Sequence, residues 1–291
     1  MKAQLNQNNS ALQAGEVALF RSMMNILNSN GCKTVFCEET HQHRVSFYDT
    51  RCNKVGCEIS DLLLVSLDKR TKKARISWLQ AKREKKMMIA PNYQFHADFK
   101  QLYLLSQRPY IYSKEYPCDA LNFSPAMSLA TYGVFYNDSN GVDFFYTAAG
   151  CLRKNSTAIK RGAVVLDNFY HRPLPLMGLY YFDNQQYDEM IVIDGADTFE
   201  KSLVAWKIGA VLPQTGMFFL QHIFHVASTR LRSKLSNSSA ADSDDVHASL
   251  RNLESLAGEL RFNLDDDSWS EEESRLPSIA IVQCDSERNM D

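Results

Sequence analysis

The chain has 291 residues, of which 45% are hydrophobic, 11% aromatic and 23% charged. That is globular composition with enough apolar material for a sizeable core, and it excludes a wholly disordered, collagenous or coiled-coil chain. The net charge of −2 averages two unlike stretches: residues 1–235 carry 28 Lys and Arg against 20 Asp and Glu, whereas residues 236–291 carry 4 against 14. The balance reads as a basic body suited to a polyanion, followed by an acidic tail. No apolar run reaches the 18 or so residues of a membrane span, and the polar start MKAQLNQNNSALQAGE shows no secretory h-region. A cytoplasmic location with no membrane partner is expected, and with it reduced thiols for all seven cysteines.

In chain order, Val17, Phe20, Met24 and Leu27 recur at spacings of three or four and predict an amphipathic helix stopped at Gly31. The segments 33–39 and 44–50, rich in β-branched and aromatic residues, predict strands. Residues 58–68, EISDLLLVSLD, read as a buried strand, 68–73 as a basic turn and 74–84, ARISWLQAKRE, as the returning strand. Residues 93–107 predict a helix and 110–114 a short strand. Further on, 129–136 and 142–150 read as strands around the turn 137–141, and 199–212 and 217–235 as two helices broken by Pro213 and Gly216. From Ser236 a low-complexity linker leads to a short helix near 247–262, an acidic run at 264–274, and SIAIVQC at 278–284, which can add one strand. The expected organisation is a mixed α/β core over 11–115, a β-rich and helical accessory segment over 116–235, and a mobile acidic tail over 236–291.

The hairpin at 58–84 carries the chemistry. Asp61 precedes Leu62, Leu63, Leu64 and Val65, where an unpaired carboxylate is costly to bury. Gln80 and Lys82 are two apart and share one strand face. Pairing across 68–73 brings Asp61 to the same strand ends as Gln80 and Lys82. A carboxylate, an amide oxygen and an ammonium together suit metal-assisted phosphodiester hydrolysis, in which hard oxygens hold Mg²⁺ and a lysine attends the attacking water. Asp61, eighteen intervening residues and then Gln80-Ala81-Lys82 resemble the PD-(D/E)xK nuclease superfamily, in the QxK variant found in Mrr-like and phage-defence nucleases.

The resemblance covers about residues 11–115. It implies a restriction-endonuclease-like fold and a Mg²⁺-dependent DNA endonuclease, with Mn²⁺ able to substitute, acting in defence against foreign DNA. It further implies Asp61, Gln80 and Lys82 as catalytic residues and Asp61, Gln80 and Glu16, on the first helix, as metal ligands. A homodimer and an activating partner protein stay open as partners beside DNA.

Nine basic residues within 69–86, among them Lys69, Arg70, Lys72, Lys73, Arg83, Lys85 and Lys86, face a single acid, Glu84, and predict phosphate contacts. Glu58 is a weaker acidic candidate, read as pointing to the opposite strand face from Asp61; Gln101 on the following helix reads first as an ordinary helix residue, although the resemblance would let it reach the site. The alternative reading is a catalytically inactive nuclease-fold module that binds nucleic acid or a partner protein. A zinc site drawn from Cys32, Cys37, His41, His43, Cys52 and Cys57 is disfavoured because the pairs lack tight knuckle spacing. Asp197 or Thr198 reads as a helix N-cap, and His222 and His225 as core histidines.

Overall fold

The computed structural model describes residues 1–7, 14–39, 44–86, 88, 93–113, 119–158, 160–170, 174–237, 243–265 and 276–284. His41 and His43, and most of the acidic run at 264–274, lie outside the described residues. The helices are α1 (Lys2–Leu5), α2 (Glu16–Ser29), α3 (Phe99–Gln107), α4 (Ala196–Val204), α5 (Met217–Asn237) and α6 (Ser243–Leu260). None among the described residues is long and apolar enough to cross a membrane.

The first nine strands are β1 (Lys33–Cys37), β2 (Arg44–Tyr48), β3 (Lys54–Glu58), β4 (Leu62–Asp68), β5 (Ala74–Glu84), β6 (Phe95–Asp98), β7 (Ala130–Asp138), β8 (Gly141–Ala148) and β9 (Leu152–Lys154). They are followed by β10 (Arg161–Leu166), β11 (Leu176–Phe182), β12 (Gln185–Asp194), β13 (Ala210–Val211) and β14 (Ser278–Cys284). A large mixed sheet runs β1-β14-β4-β5-β7-β8-β12-β11, with β13 also pairing β5; β6-β10-β9 and β2-β3 form two smaller sheets. Within the large sheet β14 lies parallel to β4, and β5 parallel to β7.

The central strands are apolar on both faces because both faces are covered. Along β4, Leu62 and Leu64 face the layer of α1, α2 and α4, while Leu63, Val65 and Leu67 face the layer containing α3, α5 and α6. In β5, Ile76 and Trp78 share the second face and Leu79 and Ala81 the first. Alternation then assigns Gln80 and Lys82 to the α3 side. Leu19, Phe20, Met23, Met24 and Leu27 form the buried stripe of α2, at the helical spacing the sequence carries.

Three expectations are revised. The stretch 93–107 is not one helix: buried Phe95 and Ala97 flank exposed His96 with the period of a strand, and Asp98 caps α3 by accepting from the amides of Lys100 (2.9 Å) and Gln101 (3.3 Å). The helix expected at 199–212 ends at Val204, where Trp206 turns left-handed at φ +55° and the Lys207 amide donates back to the Ser202 carbonyl at 2.9 Å; Gly209, at φ +89°, then lets the chain pass β5 so closely that a Cβ would lie 2.9 Å from the Ile76 carbonyl oxygen. Residues 210–211 then pair with β5 as β13.

The third revision concerns the end of the chain. The described part of 236–291 is not a mobile tail, because α6 packs on α5 and β1, and β14 lies between β1 and β4. The accessory stretch 116–235 likewise shares the large sheet with the expected core. One thiol expectation also changes: Cys37, Cys52, Cys57 and Cys151 are free, but Cys32 is disulfide-bonded.

The placement of β14 has a measurable consequence. Ile281 is fully buried and pairs with Val35 and Val65. Ile281→Ala is expected to cost about 2–5 kcal/mol of stability by cavity formation, with an unchanged urea m-value. A loss within experimental error in urea unfolding would mean that this strand is dispensable.

Candidate active site

Residue pairing in the β4–β5 hairpin runs Leu62↔Leu79, which brings Asp61 opposite Gln80 at the strand ends. One Asp61 oxygen, Oδ2, accepts two hydrogen bonds, from the Ala81 amide at 2.9 Å and from the Gln80 Nε2 amide. The Gln80 Oε1 atom accepts from Gln101 Nε2, and the same nitrogen reaches the Glu58 carbonyl oxygen at 3.3 Å. Both glutamines are buried. The result is a chain of amides from the end of β3 through α3 to β5, finishing on the carboxylate.

Glu58 joins this site. Its reading as a residue of the opposite face assumed one continuous strand over 58–68, but β3 ends at Glu58 and β4 begins at Leu62. The break at 59–61 resets the alternation, and Glu58 and Asp61 come within each other's field. Burial first, and then the Asp61 charge, push the Glu58 carboxyl up to about 7, against the pull of Lys82 and Arg44. Burial also lifts Asp61 to about 6; Lys82, the Ala81 amide and Gln80 oppose that rise, while Glu16 adds to it. Lys82 thus acts on both carboxylates.

Glu16 stands apart from the other acids. It begins α2, on the far layer of the sheet, where its charge also acts on Arg83, and it reaches Asp61 only through space. Tyr132, paired with Gln80 across β5–β7, is fully buried in the same region, and its hydroxyl has no hydrogen-bond partner among the described residues.

These donors define what the site can hold. Two carboxylates disfavoured by burial and by each other, beside an orphaned hydroxyl, suit a hydrated divalent cation of hard-oxygen preference. Among the described residues no three His, Cys, Asp or Glu side chains converge on a metal position. A cation here would therefore rest on Asp61 and Glu58, with water completing its shell. The Gln80 carbonyl, expected as a ligand, is engaged by Gln101, and it is the Gln80 amide nitrogen that faces Asp61. A Gln at position 80 donates to the neighbouring carboxylate, where a second acid would repel it.

The basic run divides. Lys69, Arg70, Lys72 and Lys73 occupy the turn at the far end of β4, about 23 Å from Asp61 at the rise of a strand. Lys72 meets Glu259 at 3.1 Å, and Lys73 donates to Gln185 and Tyr187. Arg75 is buried, donating to the Gly209 and Asp188 carbonyls with its guanidinium 4.5 Å from the Trp206 ring centroid. The turn residues therefore do not attend the Asp61 site. Arg83 does lie near it, donating to Asn137 and the Glu84 carbonyl, and Lys85 and Lys86 follow it exposed at the end of β5.

Other sequence candidates have different duties. Asp194 accepts from the hydroxyls of Tyr93 (2.8 Å) and Tyr136 (2.7 Å). Asp197 accepts from the Lys2 amide at 2.8 Å instead of capping α4, whose Ala196 amide is satisfied by Asp143. His222 is buried on α5 as expected of a core residue. Of the cysteines considered for zinc, Cys37 and Cys57 are buried, and burial pushes the Cys57 thiol up to about 12.

The raised carboxyls link stability to pH. With Asp61 near 6 and Glu58 near 7, the folded chain holds more protons than the unfolded chain between about pH 4 and 7. These two groups therefore make stability fall as pH rises through that window, and their full cost is present above it. Asp61→Asn, which keeps the shape and an acceptor, is expected to be more stable than wild type by about 2–3 kcal/mol at pH 8. The gap should close near pH 4. Urea unfolding at pH 4.5, 6 and 8 measures it, and a gap independent of pH would contradict the assigned electrostatics.

No family model matches this chain, and no curated protein or solved structure matches it either, so its chemistry is read from the residues themselves.

Proposed function

We propose that the protein is a metal-dependent nuclease hydrolysing DNA phosphodiester bonds, on a core of restriction-endonuclease-like type. The observation that carries this reading is the meeting of Asp61, Glu58, Gln80 and Lys82 at one end of the β4–β5 hairpin. The order of elements supports it: helix α2, strand β1, the motif hairpin, helix α3, then β7 parallel to β5. A role in defence against foreign DNA rests on the QxK resemblance.

Bound at Asp61 and Glu58, Mg²⁺ or Mn²⁺ would supply Lewis-acid polarisation of the scissile phosphate. Ala81 and Gln80 fix the Asp61 carboxylate by two hydrogen bonds to one oxygen, Oδ2. Lys82 orients the attacking water and offsets the charge that builds on the phosphate as the new P–O bond forms and the old one breaks. Gln101 holds Gln80, and Tyr132 lines the floor beneath it.

A second reading, an inactive nuclease-fold module that binds nucleic acid or a partner protein, draws on one observation. The Gln80 oxygen is turned toward Gln101, which leaves two carboxylates for a cation.

The experiment incubates purified protein with supercoiled plasmid and with single-stranded DNA in Mg²⁺, in Mn²⁺ and in EDTA. Cleavage is expected only with metal, and Asp61→Ala, Lys82→Ala and Glu58→Gln should each lower its rate on the order of 100-fold. Lys72→Ala, at the far turn, should stay within about twofold, the scatter of a surface change. Mg²⁺ should also raise the thermal midpoint of the wild type and leave that of Asp61→Asn unmoved. Cutting that survives both Asp61→Ala and Lys82→Ala would overturn the assignment. Binding that persists in EDTA, with no cutting in either metal, would favour the inactive module.

A further inference from the structure

The small β2–β3 sheet has one face that the fold does not use. Val45, Phe47 and Cys57 point inward, and Phe47 stacks on Tyr103 of α3 with ring centroids 5.9 Å apart. Strand alternation therefore turns Arg44, Ser46 and Tyr48 of β2 outward, together with Lys54, Gly56 and Glu58 of β3. The register pairs them rung by rung: Arg44↔Glu58, Ser46↔Gly56 and Tyr48↔Lys54.

On the other side of β2, Tyr112 forms a bridge to Ser46, its amide donating to the Ser46 carbonyl at 2.7 Å. That bridge brings the Tyr112 ring beside Tyr48, at 5.5 Å between centroids and 85° between planes. Tyr48 is 47% exposed, Tyr112 55% and Tyr110 66%. Tyr48 and Tyr112 thus form one exposed aromatic patch, with Arg44 and Lys54 exposed on the same sheet. Between the rings and Arg44 lie the short side chain of Ser46 and Gly56, which has none, and Arg44 Nη2 donates to the Gly56 carbonyl oxygen at 3.1 Å.

This face leads into the candidate active site. Glu58, at its inner end, belongs to the carboxylate pair with Asp61, and Arg44 sits across from it. The rung of Tyr48 and Lys54 lies four residues, about 13 Å, further out. Exposed aromatic rings beside cations, in line with a phosphodiester-cleaving centre, have the chemistry that holds unpaired bases: every base offers a π-face, and the backbone offers phosphates.

We propose that the outer face of β2–β3 binds a single-stranded polynucleotide, its bases stacked on Tyr48 and Tyr112 and its phosphates on Lys54 and Arg44, and feeds it toward Glu58 and Asp61. The inference rests on the nuclease reading for its direction along the strand, and on the exposed tyrosines for the binding itself. A duplex keeps its bases stacked inside the helix and offers these rings nothing comparable. The face therefore selects single strands.

The test is fluorescence anisotropy with labelled oligo(dT) and with a duplex of equal length, at low salt in EDTA. Wild type is compared with a Tyr48→Ala/Tyr112→Ala pair, a Tyr48→Phe/Tyr112→Phe pair, and Asp61→Ala. All four proteins are read by thermal midpoint as well, so that an unfolded variant is recognised.

The alanine pair should weaken oligo(dT) binding at least tenfold and leave the duplex within twofold. The phenylalanine pair, which keeps the rings, should bind oligo(dT) like wild type. Unchanged oligo(dT) affinity in the alanine pair, no wild-type binding of oligo(dT), or equal losses for oligo(dT) and duplex would each overturn the inference. A phenylalanine pair as weak as the alanine pair would replace stacking by hydroxyl contacts and overturn it too. Repeating the set in Mg²⁺ separates the two readings. Tyrosine-dependent binding without cleavage keeps the docking face and removes the nuclease, and Asp61-dependent cleavage with tyrosine-independent binding does the reverse.

Discussion

The carboxylate of Asp61 sits where four apolar residues of a central strand begin, and the fold around it is arranged so that the charge can stay there. Left without partners, a buried carboxylate costs several kcal/mol or takes up a proton. Here the Ala81 amide and the Gln80 side chain both donate to Oδ2, and Lys82 supplies a positive field. Gln80 is itself held by Gln101, so α3 must pack at one rotation for the chain of amides to close. The Asp98 cap fixes that rotation by starting the helix three residues before Gln101. The capping residue, the helix and the strand pair are thus tied to one oxygen atom. The compensation is partial, since both Asp61 and Glu58 remain lifted toward neutrality. A site left with unrelieved negative charge is one in which a cation gains free energy by binding.

The large sheet explains why this charge lies at its edge of packing and nowhere else. β4 and β5 are covered on both faces along their apolar length, and exposure begins only at Asp61 beside the start of β4 and past Ala81 in β5. β14 is essential to that burial, since without it β4 would present an open edge beside β1. The last described strand of the chain therefore supports the position of a site built from its first third.

The hairpin was legible in the sequence because two strong local signals agree there. Continuous apolar runs mark strands buried on both faces, and a polar, basic stretch marks the turn between them; β5 spans the residues 74–84 that the pattern predicts. Pairing across that turn was enough to bring Asp61 to Gln80. The membership of Glu58 was hidden because a three-residue interruption, Ile59-Ser60-Asp61, resets strand alternation without any Gly or Pro to announce it. Gln101 was in reach on paper, but its role depended on where α3 starts, and the aromatic content of 93–97 masked a short strand. The insertion of β14 was beyond local reading: parallel pairing with a strand some 215 residues earlier leaves no mark in the intervening sequence.

The cations of 69–86 divide between the two ends of the hairpin, and the division bears on how a polyanion would approach. Strand geometry sends the ends of a seven-residue hairpin about 23 Å apart, so nine cations close in sequence cannot surround one phosphate. At the turn end, Glu259 on α6 lies 3.1 Å from Lys72 and 2.6 Å from Lys33 of β1. Glu259 is partly buried, yet the bonds from Lys33, Gln283 and Lys72 hold its carboxyl down at about 2. Acidic residues of α6 therefore offset positive charge at the end of the sheet remote from Asp61. Lys82, Arg83, Lys85 and Lys86, with Arg44 and Lys54 on the neighbouring hairpin, stand at the other end. Among the described residues, Glu259 thus offsets two cations at the turn end of the sheet, and the cations near Asp61 stand at the other. Local field, and not net charge, directs an anionic chain to a cleft.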